Sequence, residues 1–240
     1  MNSYKTFAQF YDELTDNVDY KVRSDYISNF FSRYSNGGNK VLDLACGTGT
    51  MTALLCEKGY DVTGIDLSCD MLSLASSKCD ARFISADISD FDINEKFDYC
   101  ICLLDSINHL NGVDDVNACF NCVYDSLNED GLFIFDVNTI YKHNNILADN
   151  TFVFDNDGYF LSWDNEQMED NVIRILLDFF VYNGKNYDRF SEEFYEKAYE
   201  IDELKSMLKN FEIIGIYDEL TENSPKANSE RVFFVCKKVK

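Results

Sequence analysis

The sequence predicts an α/β fold, in which a doubly wound, mainly parallel sheet of seven strands is interrupted by a small, mostly antiparallel β insertion. From residue 40 onward short apolar runs alternate with helical segments, which is the order of a parallel sheet wrapped by helices. The runs lack strict alternation of polar and apolar residues, so we expect both faces of each strand to be covered. Aromatic-rich runs separated by turn residues, at 151–199, predict the insertion.

Two helices are expected in the first forty residues. One apolar set follows the i, i+3, i+4, i+7 spacing of an amphipathic helix, and it comprises Phe7, Phe10, Tyr11 and Leu14. A second set begins at Tyr26 and predicts a second helix, which the polar, glycine-containing stretch 36–39 ends.

Five strands and three helices follow in alternation. The expected strands are residues 41–45, 61–66, 81–86, 97–104 and 132–137, and the expected helices are 51–58, 69–78 and 113–127. Ser68 suits the N-cap of the second of these helices, and Gly59 suits the position after the first. The C-x-x-C sequence at 119–122 falls in the middle of the third helix, where its cysteines are expected to pack in the core rather than bind a metal.

The chain then changes pattern and changes back. Turn sequences at 155–158 and at Asn183-Gly184 separate apolar runs, among them 173–182 and 185–190, and Asn-Gly in this setting predicts a hairpin. A helix at 201–208 and strands at 212–220 and 231–238 complete the main sheet. We therefore expect one α/β domain formed by residues 1–139 and 200–240, with a β-sheet insertion at 140–199.

Composition excludes several classes of partner. The 240 residues carry 43 acidic and 21 basic side chains, a net charge of −22, which would repel a nucleic acid. No apolar run approaches the roughly 18 residues of a membrane span, so no membrane partner is expected. The nine cysteines follow no secretory leader and most lie in apolar runs. We expect free thiols, a cytoplasmic location and no metal site.

The most informative segment is 41–49, a strand that runs through Cys46-Gly47-Thr48-Gly49 into a helix. Glycines there permit a sharp turn and a close approach of a ligand to the main chain. A dinucleotide fingerprint has a third glycine three residues beyond the second, but that position is Thr52. A nicotinamide or flavin site is therefore disfavoured.

Three carboxylates end consecutive predicted strands. Asp43 lies four residues before Gly47, where its negative charge suits a ligand with an ammonium or sulfonium group. Asp66 lies nineteen residues after Gly47, at the spacing where an acid accepts hydrogen bonds from ribose hydroxyls. Asp87 ends the third strand, where it can accept from an exocyclic adenine amine. Together they describe an adenosine ligand that is not phosphorylated.

These residues resemble the class I S-adenosylmethionine-dependent methyltransferases over nearly the whole chain. More narrowly, the sequence is similar to the small bacterial methyltransferases that include aminosugar N,N-dimethyltransferases. The matching motifs are Asp43-x-x-Cys46-Gly47-Thr48-Gly49, Phe10-Tyr11-Asp12, Asp19-Tyr20 and Ile65-Asp66-Leu67-Ser68-x-x-Met71-Leu72. The resemblance implies a Rossmann-like sheet of the seven-strand methyltransferase type, S-adenosylmethionine as the cofactor and methyl transfer as the activity.

The resemblance also implies which polar groups bind the cofactor. Asp43 would hold the methionyl ammonium directly or through water, and the Ala45 carbonyl would accept from the same group. Asp66 would bind the ribose hydroxyls. Asp87 and the Ile88 amide would contact the adenine edge.

Apolar and small residues complete the implied cofactor site. Gly47 and Gly49 would give clearance for the ligand, and Leu103 would lie beside the sulfonium. The remaining positions are those against adenine, Leu67 and Met71, and those over the methionine end, Tyr11 and Tyr20. Leu67, Met71 and Leu103 would be apolar in almost any α/β core, so their roles rest on the resemblance alone.

The acceptor is expected to be a small molecule that is methylated on nitrogen or oxygen. Transfer from a sulfonium is an in-line displacement, which needs alignment and the removal of any proton on the nucleophile. The acceptor should lie over residues 104–110, beneath the insertion acting as a lid. His109 is the candidate base, although a lone His after a strand also suits a structural role. Asp105, Ser106 and Asn108 suit either orienting the acceptor or capping the turn.

The insertion leaves several interpretations open. An aromatic acceptor pocket and the core of the small sheet are both consistent with four of its side chains, Trp163, Tyr182, Arg189 and Tyr199. Relatives often carry E-x-H-x-x-R-x-Y at its end, but here Phe194 takes the His place and Lys197 the Arg place. Other functions considered are an NAD-dependent oxidoreductase, which Thr52 and Asp43 disfavour, and a non-catalytic S-adenosylmethionine-binding module, which the missing His leaves open.

Overall fold

The computed structural model describes residues 3–34 and 36–239. Its helices are α1 (Ser3–Leu14), α2 (Tyr20–Arg33), α3 (Thr50–Glu57), α4 (Cys69–Lys78), α5 (Val113–Ser126), α6 (Ile140–Lys142) and α7 (Ile201–Met207). Its strands are β1 (Lys40–Leu44), β2 (Asp61–Asp66), β3 (Arg82–Ser85), β4 (Phe97–Cys102), β5 (Leu127–Asn138), β6 (Thr151–Asn156), β7 (Tyr159–Gln167), β8 (Val172–Tyr182), β9 (Tyr187–Lys197), β10 (Phe211–Asp218) and β11 (Arg231–Lys238). A 3₁₀ turn spans Ser106–His109, and a π-helical turn spans His143–Leu147.

The described strands form two sheets. A seven-stranded sheet has the order β10-β11-β5-β4-β1-β2-β3, and a four-stranded sheet has the order β6-β7-β8-β9. Strands β1 to β5 pair in parallel, whereas β11 lies antiparallel between β5 and β10. The predicted α/β fold with a separate antiparallel sheet is confirmed.

Both faces of the main sheet are buried, as its unbroken apolar strands predict. Along β4 the side chains alternate between two cores, with Cys100 and Cys102 on one face and Tyr99 and Ile101 on the other. Helices α5 and α7 cover the first face, and α2 and α3 cover the second. The cysteines of the C-x-x-C sequence lie on α5 in or against the first core, and all nine cysteines are free.

The four-stranded sheet packs against the first helix of the chain. Phe10 of α1 stacks on Phe179, with ring centroids 5.6 Å apart, and lies 4.4 Å from the Tyr159 ring. Three of the four apolar positions predicted for α1 therefore pack against the core of the small sheet, namely Phe7, Phe10 and Leu14. No helix within the described residues has the length and apolar character that crossing a membrane requires.

Some element bounds differ from those that the sequence predicts. Strand β4 ends at Cys102, two residues early, because Leu104 and Asp105 adopt left-handed backbone angles, with φ of 55° and 56°. Strand β5 begins at Leu127 directly after α5, and β9 extends to Lys197. The first change matters most, since it turns the chain after β4 over the carboxyl edge of the sheet.

Candidate functional site

The glycine turn after β1 forms the floor of the site at the carboxyl edge of the sheet. Ala45, Gly47 and Gly49 all have positive φ, of 53°, 53° and 75°. A Cβ at Gly49 would lie 2.7 Å from the Cβ of Ala75 on α4, so this position requires glycine for packing as well as for its backbone angle. A Cβ at Gly47 would meet only Tyr11, at 3.9 Å.

Asp43 is a buried carboxylate at the end of β1, aimed into the site. The Thr52 hydroxyl donates a hydrogen bond of 2.5 Å to its Oδ2 atom. Burial raises the pKa of Asp43 to about 7, and the bond from Thr52 opposes that rise. Thr52, which stands where a dinucleotide site has its third glycine, thus donates a hydrogen bond to Asp43, the carboxylate that suits a cationic ligand.

Asp66 joins the end of β2 to the glycine turn. Its Oδ2 atom accepts from the Gly47 N–H and its Oδ1 atom accepts from the Ser68 N–H, both at 2.8 Å. Burial raises the pKa of Asp66, and these two bonds oppose the rise. Next to it the Leu67 side chain is 70% exposed, an apolar surface beside a carboxylate at the open edge.

The neighbouring strand end supplies the residues expected near adenine. Asp87 is exposed, and its Oδ1 atom accepts from the backbone and hydroxyl of Ser89, at 2.8 and 2.7 Å. Ile88 and Met71 are buried, and Ser68 caps α4 by accepting from the Met71 N–H, as predicted.

A cavity of about 40 Å³ lies over the glycine turn. Predicted site residues line it together, namely Tyr11, Tyr20, Asp43, Ala45, Gly47 and Leu103. Helix α1 covers the cavity and is held there by Asp12, which accepts from the Thr48 hydroxyl at 2.5 Å and pairs with Lys78 at 2.6 Å. Burial and the neighbouring Tyr20 raise the pKa of Tyr11 well above its ordinary value.

The 3₁₀ turn after β4 fixes the edge next to this cavity. The Ser106 hydroxyl donates to the Leu103 carbonyl, at 2.7 Å. Asn108 is buried and bonds to the backbone of Asn138 on β5 and of Lys197 on β9. Both side chains therefore hold the turn in place, whereas His109 at its end is exposed.

A charged cluster lies beside His109. Asp105 pairs with Arg231 at 2.6 Å, and Arg231 also binds the buried Asp136. Burial alone would raise the pKa of Asp105, but Arg231 and Lys142 hold it well below its usual range. The carboxylate is therefore ionised.

Glu196 on β9 joins this cluster from the small sheet. Its Oε1 atom is 3.7 Å from His109 Nε2, and its Oε2 atom accepts from the Asn138 amide at 3.2 Å. Phe194 lies on the same strand, with its ring 5.3 Å from the His109 ring. The position where relatives often have a His thus faces the one imidazole that the 3₁₀ turn supplies.

Sequence reasoning missed Glu196 and His143. His143 is fully buried, with Nε2 3.5 Å from Glu196 Oε2 and Nδ1 3.1 Å from the Asn171 carbonyl. The i, i+3, i+7 spacing of Ile140, His143 and Leu147 was a signal for its burial. None of the four side chains considered for an aromatic acceptor pocket lines the cavity over the glycine turn: Trp163, Tyr182, Arg189 and Tyr199. Tyr199 belongs to the core of the main sheet.

Comparisons with known proteins define the class. A methyltransferase-domain family model matches residues 41–131. A solved structure of an S-adenosylmethionine-dependent methyltransferase from Clostridium acetobutylicum ATCC 824 superposes with a TM-score of 0.90 at 36% identity, covering 100% of both chains. The chain is also 35% identical to YqeM of Bacillus subtilis (strain 168), which is classed with the methyltransferases under a name that gives no substrate. That match covers 99% of this chain and 98% of YqeM.

A third relative bears on the narrower resemblance. The chain is 33% identical to the dTDP-3-amino-3,6-dideoxy-alpha-D-glucopyranose N,N-dimethyltransferase of Streptomyces fradiae over 42% of this chain and 40% of the relative. The two matches over nearly the whole chain, to the Clostridium acetobutylicum structure and to YqeM, show that the protein belongs to the S-adenosylmethionine-dependent methyltransferases. S-adenosylmethionine is its cofactor, and the alternative of an NAD-dependent oxidoreductase is wrong.

Proposed function

We propose that this methyltransferase transfers the methyl group of S-adenosylmethionine to the nitrogen or oxygen of a small polar molecule, with an amine nitrogen favoured. The observation that carries the proposal is the polar edge at which Asp105, His109 and Glu196 meet beside the cavity over the glycine turn. An approach bordered by an ionised carboxylate and an imidazole suits a small polar acceptor better than an apolar one.

The cofactor roles proposed for the strand ends fit the groups present. The buried Asp43 carboxylate offers the negative charge that a methionyl ammonium needs, and the Ala45 carbonyl faces the same cavity. Asp66 keeps lone pairs for ribose hydroxyls while it holds Gly47 and Ser68. The exposed Leu67 would cover the adenine ring, with Met71, Asp87 and Ile88 beside it, and Gly49 permits the turn. When bound, the cofactor supplies a methyl group on a positively charged sulfur.

The acceptor would approach from the side of the 3₁₀ turn. His109 is exposed there, with its Nε2 atom 3.7 Å from Glu196 Oε1, so its imidazole can take a proton from an amine or hydroxyl. The four-stranded sheet supplies Phe194 and Glu196 to this side of the site, which supports a lid role for the insertion at 140–199. The amino-sugar relative supports nitrogen as the methylated atom.

The net charge and the free cysteines support two further parts of the proposal, that the acceptor is not a nucleic acid and that the protein is cytoplasmic. A net charge of −22 disfavours nucleic-acid acceptors, and the free state of all nine cysteines fits a cytoplasmic location.

A methyl-transfer screen tests the proposal. The protein is incubated with methyl-labelled S-adenosylmethionine and panels of amino sugars, amino acids and hydroxy acids, and label is counted in the small-molecule fraction. We expect transfer to an amine, with a rate at least about 100-fold lower in His109→Gln. Asn111→Ala, an exposed residue just past the turn, is the matched control and should keep the wild-type rate. Label appearing only on protein or nucleic acid would contradict the proposal.

A further inference from the structure

Three side chains with metal-ligating atoms converge at the carboxyl edge of the sheet. Asp105, His109 and Glu196 each offer one ligand atom, and these atoms lie within 4.8 Å of one another. They come from two separate parts of the chain, since Asp105 precedes the 3₁₀ turn, His109 ends it and Glu196 lies on β9. His109 Nε2 and Glu196 Oε1 are 3.7 Å apart, which is beyond hydrogen-bond distance.

The two carboxylates are held close to each other. The Asn138 amide donates to Asp105 Oδ2 at 3.0 Å and to Glu196 Oε2 at 3.2 Å, and the Glu196 side chain is only 5% exposed. Like charges at this separation repel strongly where water is scarce.

The cations nearest to the two carboxylates are engaged elsewhere as well. Arg231 is shared between Asp105 and the buried Asp136, so two carboxylates divide its charge. Lys142 donates to Asn138 Oδ1 at 2.9 Å. Negative charge on Glu196 is thus left without a direct cationic partner of its own apart from the two imidazoles.

A buried histidine gives an independent indication of a missing cation. His143 is fully buried, and its Nδ1 atom donates to the Asn171 carbonyl at 3.1 Å. Its Nε2 atom then carries a lone pair in the neutral ring, has no hydrogen-bond partner among the described residues, and faces Glu196 Oε2 at 3.5 Å. A lone pair on Nε2 and a carboxylate oxygen repel each other, and a proton or a metal ion between them removes the repulsion.

We propose that this cluster binds one divalent first-row transition-metal ion. Asp105, His109 and Glu196 supply the three ligand atoms, and the second oxygen of Glu196 faces His143 Nε2 at 3.5 Å, so His143 lies next to this set. Two ligands at about 2.1 Å from a tetrahedral ion are about 3.4 Å apart, close to the 3.7 Å between His109 Nε2 and Glu196 Oε1. Imidazole with carboxylate suits Zn²⁺ or Mn²⁺ better than Mg²⁺.

The site lies where the acceptor is proposed to bind, so the ion would act on the acceptor; this role rests on the proposed function. An acceptor amine or hydroxyl bound to the ion would lose its proton more readily, because the positive charge lowers the pKa of a coordinated group. With the ion bound, His109 would be a ligand, and the acidified acceptor would release its proton to water at the open edge of the site. Metal binding itself requires no methyl transfer and is measured separately.

Calorimetric titration of the full chain, stripped with chelator, with ZnCl₂ and MnCl₂ tests the site. We expect one tight ion per chain, weaker binding of MgCl₂, and dissociation constants more than about tenfold higher in His109→Ala, His143→Gln and Glu196→Gln. Glu193→Gln is the matched control, because Glu193 is an exposed carboxylate on the same strand that pairs with Arg174. The Glu193→Gln titration measures the weak binding of metal ions to exposed carboxylates, which is unrelated to the proposed site.

Two readouts keep the outcome clear. His109 is exposed, so His109→Ala should fold even where a change at the buried Glu196 does not. Absence of saturable binding, or equal affinities for Glu196→Gln and Glu193→Gln, would overturn the proposal. S-adenosylmethionine binding measured on the same samples separates the two proposals, since a protein that binds the cofactor but no metal loses only this inference.

Discussion

Replacing Asp66 by asparagine removes the charge at the end of β2 while keeping the shape of the side chain. In the native chain both carboxylate oxygens accept backbone N–H groups, from Gly47 and Ser68. An asparagine can accept at only one of these positions, because its NH₂ group is a donor. Asp66→Asn should therefore weaken ribose binding and loosen the glycine turn together.

The size of the effect follows from the bonds lost. A hydrogen bond to a charged group contributes about 1.5–3 kcal/mol, and about 1.4 kcal/mol corresponds to a tenfold change in affinity. Loss of one such bond to a ribose hydroxyl should raise the dissociation constant of S-adenosylmethionine by roughly 10- to 150-fold.

Isothermal titration with S-adenosylmethionine and S-adenosylhomocysteine measures this change. The matched control is Asp61→Asn, an exposed acid at the other end of β2, which should bind both compounds like the wild type. Thermal unfolding of all three proteins shows whether the fold is kept. Affinities of Asp66→Asn and Asp61→Asn within twofold of each other would refute the assignment of Asp66 to the ribose.

Three further predictions concern buried charge and close packing. Burial raises the pKa of Asp43 to about 7, so the affinity for the cofactor should rise with pH by up to about tenfold per unit below pH 7 and then level off. Thr52→Val lacks the opposing hydrogen bond, so the midpoint of this rise in affinity, measured by binding across pH, should move to higher pH. Gly49→Ala should lower the free energy of unfolding, measured in urea, by about 2–4 kcal/mol, because the new Cβ would meet Ala75. Gly59 also has a positive φ but faces open space, so Gly59→Ala should lower it by only about 1–2 kcal/mol. Equal losses in the two variants would contradict the contact with Ala75. Burial raises the pKa of Glu192 in the folded chain to about 7, whereas the unfolded chain loses this proton near pH 4.5. The free energy of unfolding therefore falls as pH rises from about 4.5 to 7. Glu192→Gln should remove that loss and raise the free energy of unfolding at pH 8 by of order 1 kcal/mol, measured by chemical denaturation.

The cofactor side of the site was predictable because its pattern is local. Within 41–49 a strand, a tight turn and a helix start follow one another, and the strand pattern alone places Asp43 and Asp66 at one edge. Thr52 was recognised only as a missing glycine, and its bond to Asp43 needed the structure.

The acceptor side was less predictable because it joins distant parts of the chain. Asp105 meets Arg231, which is 126 residues away, and Glu196 meets His109 only when the small sheet folds onto the main sheet. The left-handed backbone at Leu104 and Asp105, which turns the chain there, has no glycine to signal it. Strand registers and the burial of His143 depend on such long-range packing.

A crystal structure of the chain with S-adenosylhomocysteine tests the central claim most directly. The account predicts the ribose hydroxyls within about 3.2 Å of Asp66, the ammonium beside Asp43 and the sulfur facing the 3₁₀ turn at His109. A ligand bound away from the glycine turn, or with its sulfur turned from His109 and Glu196, would contradict it.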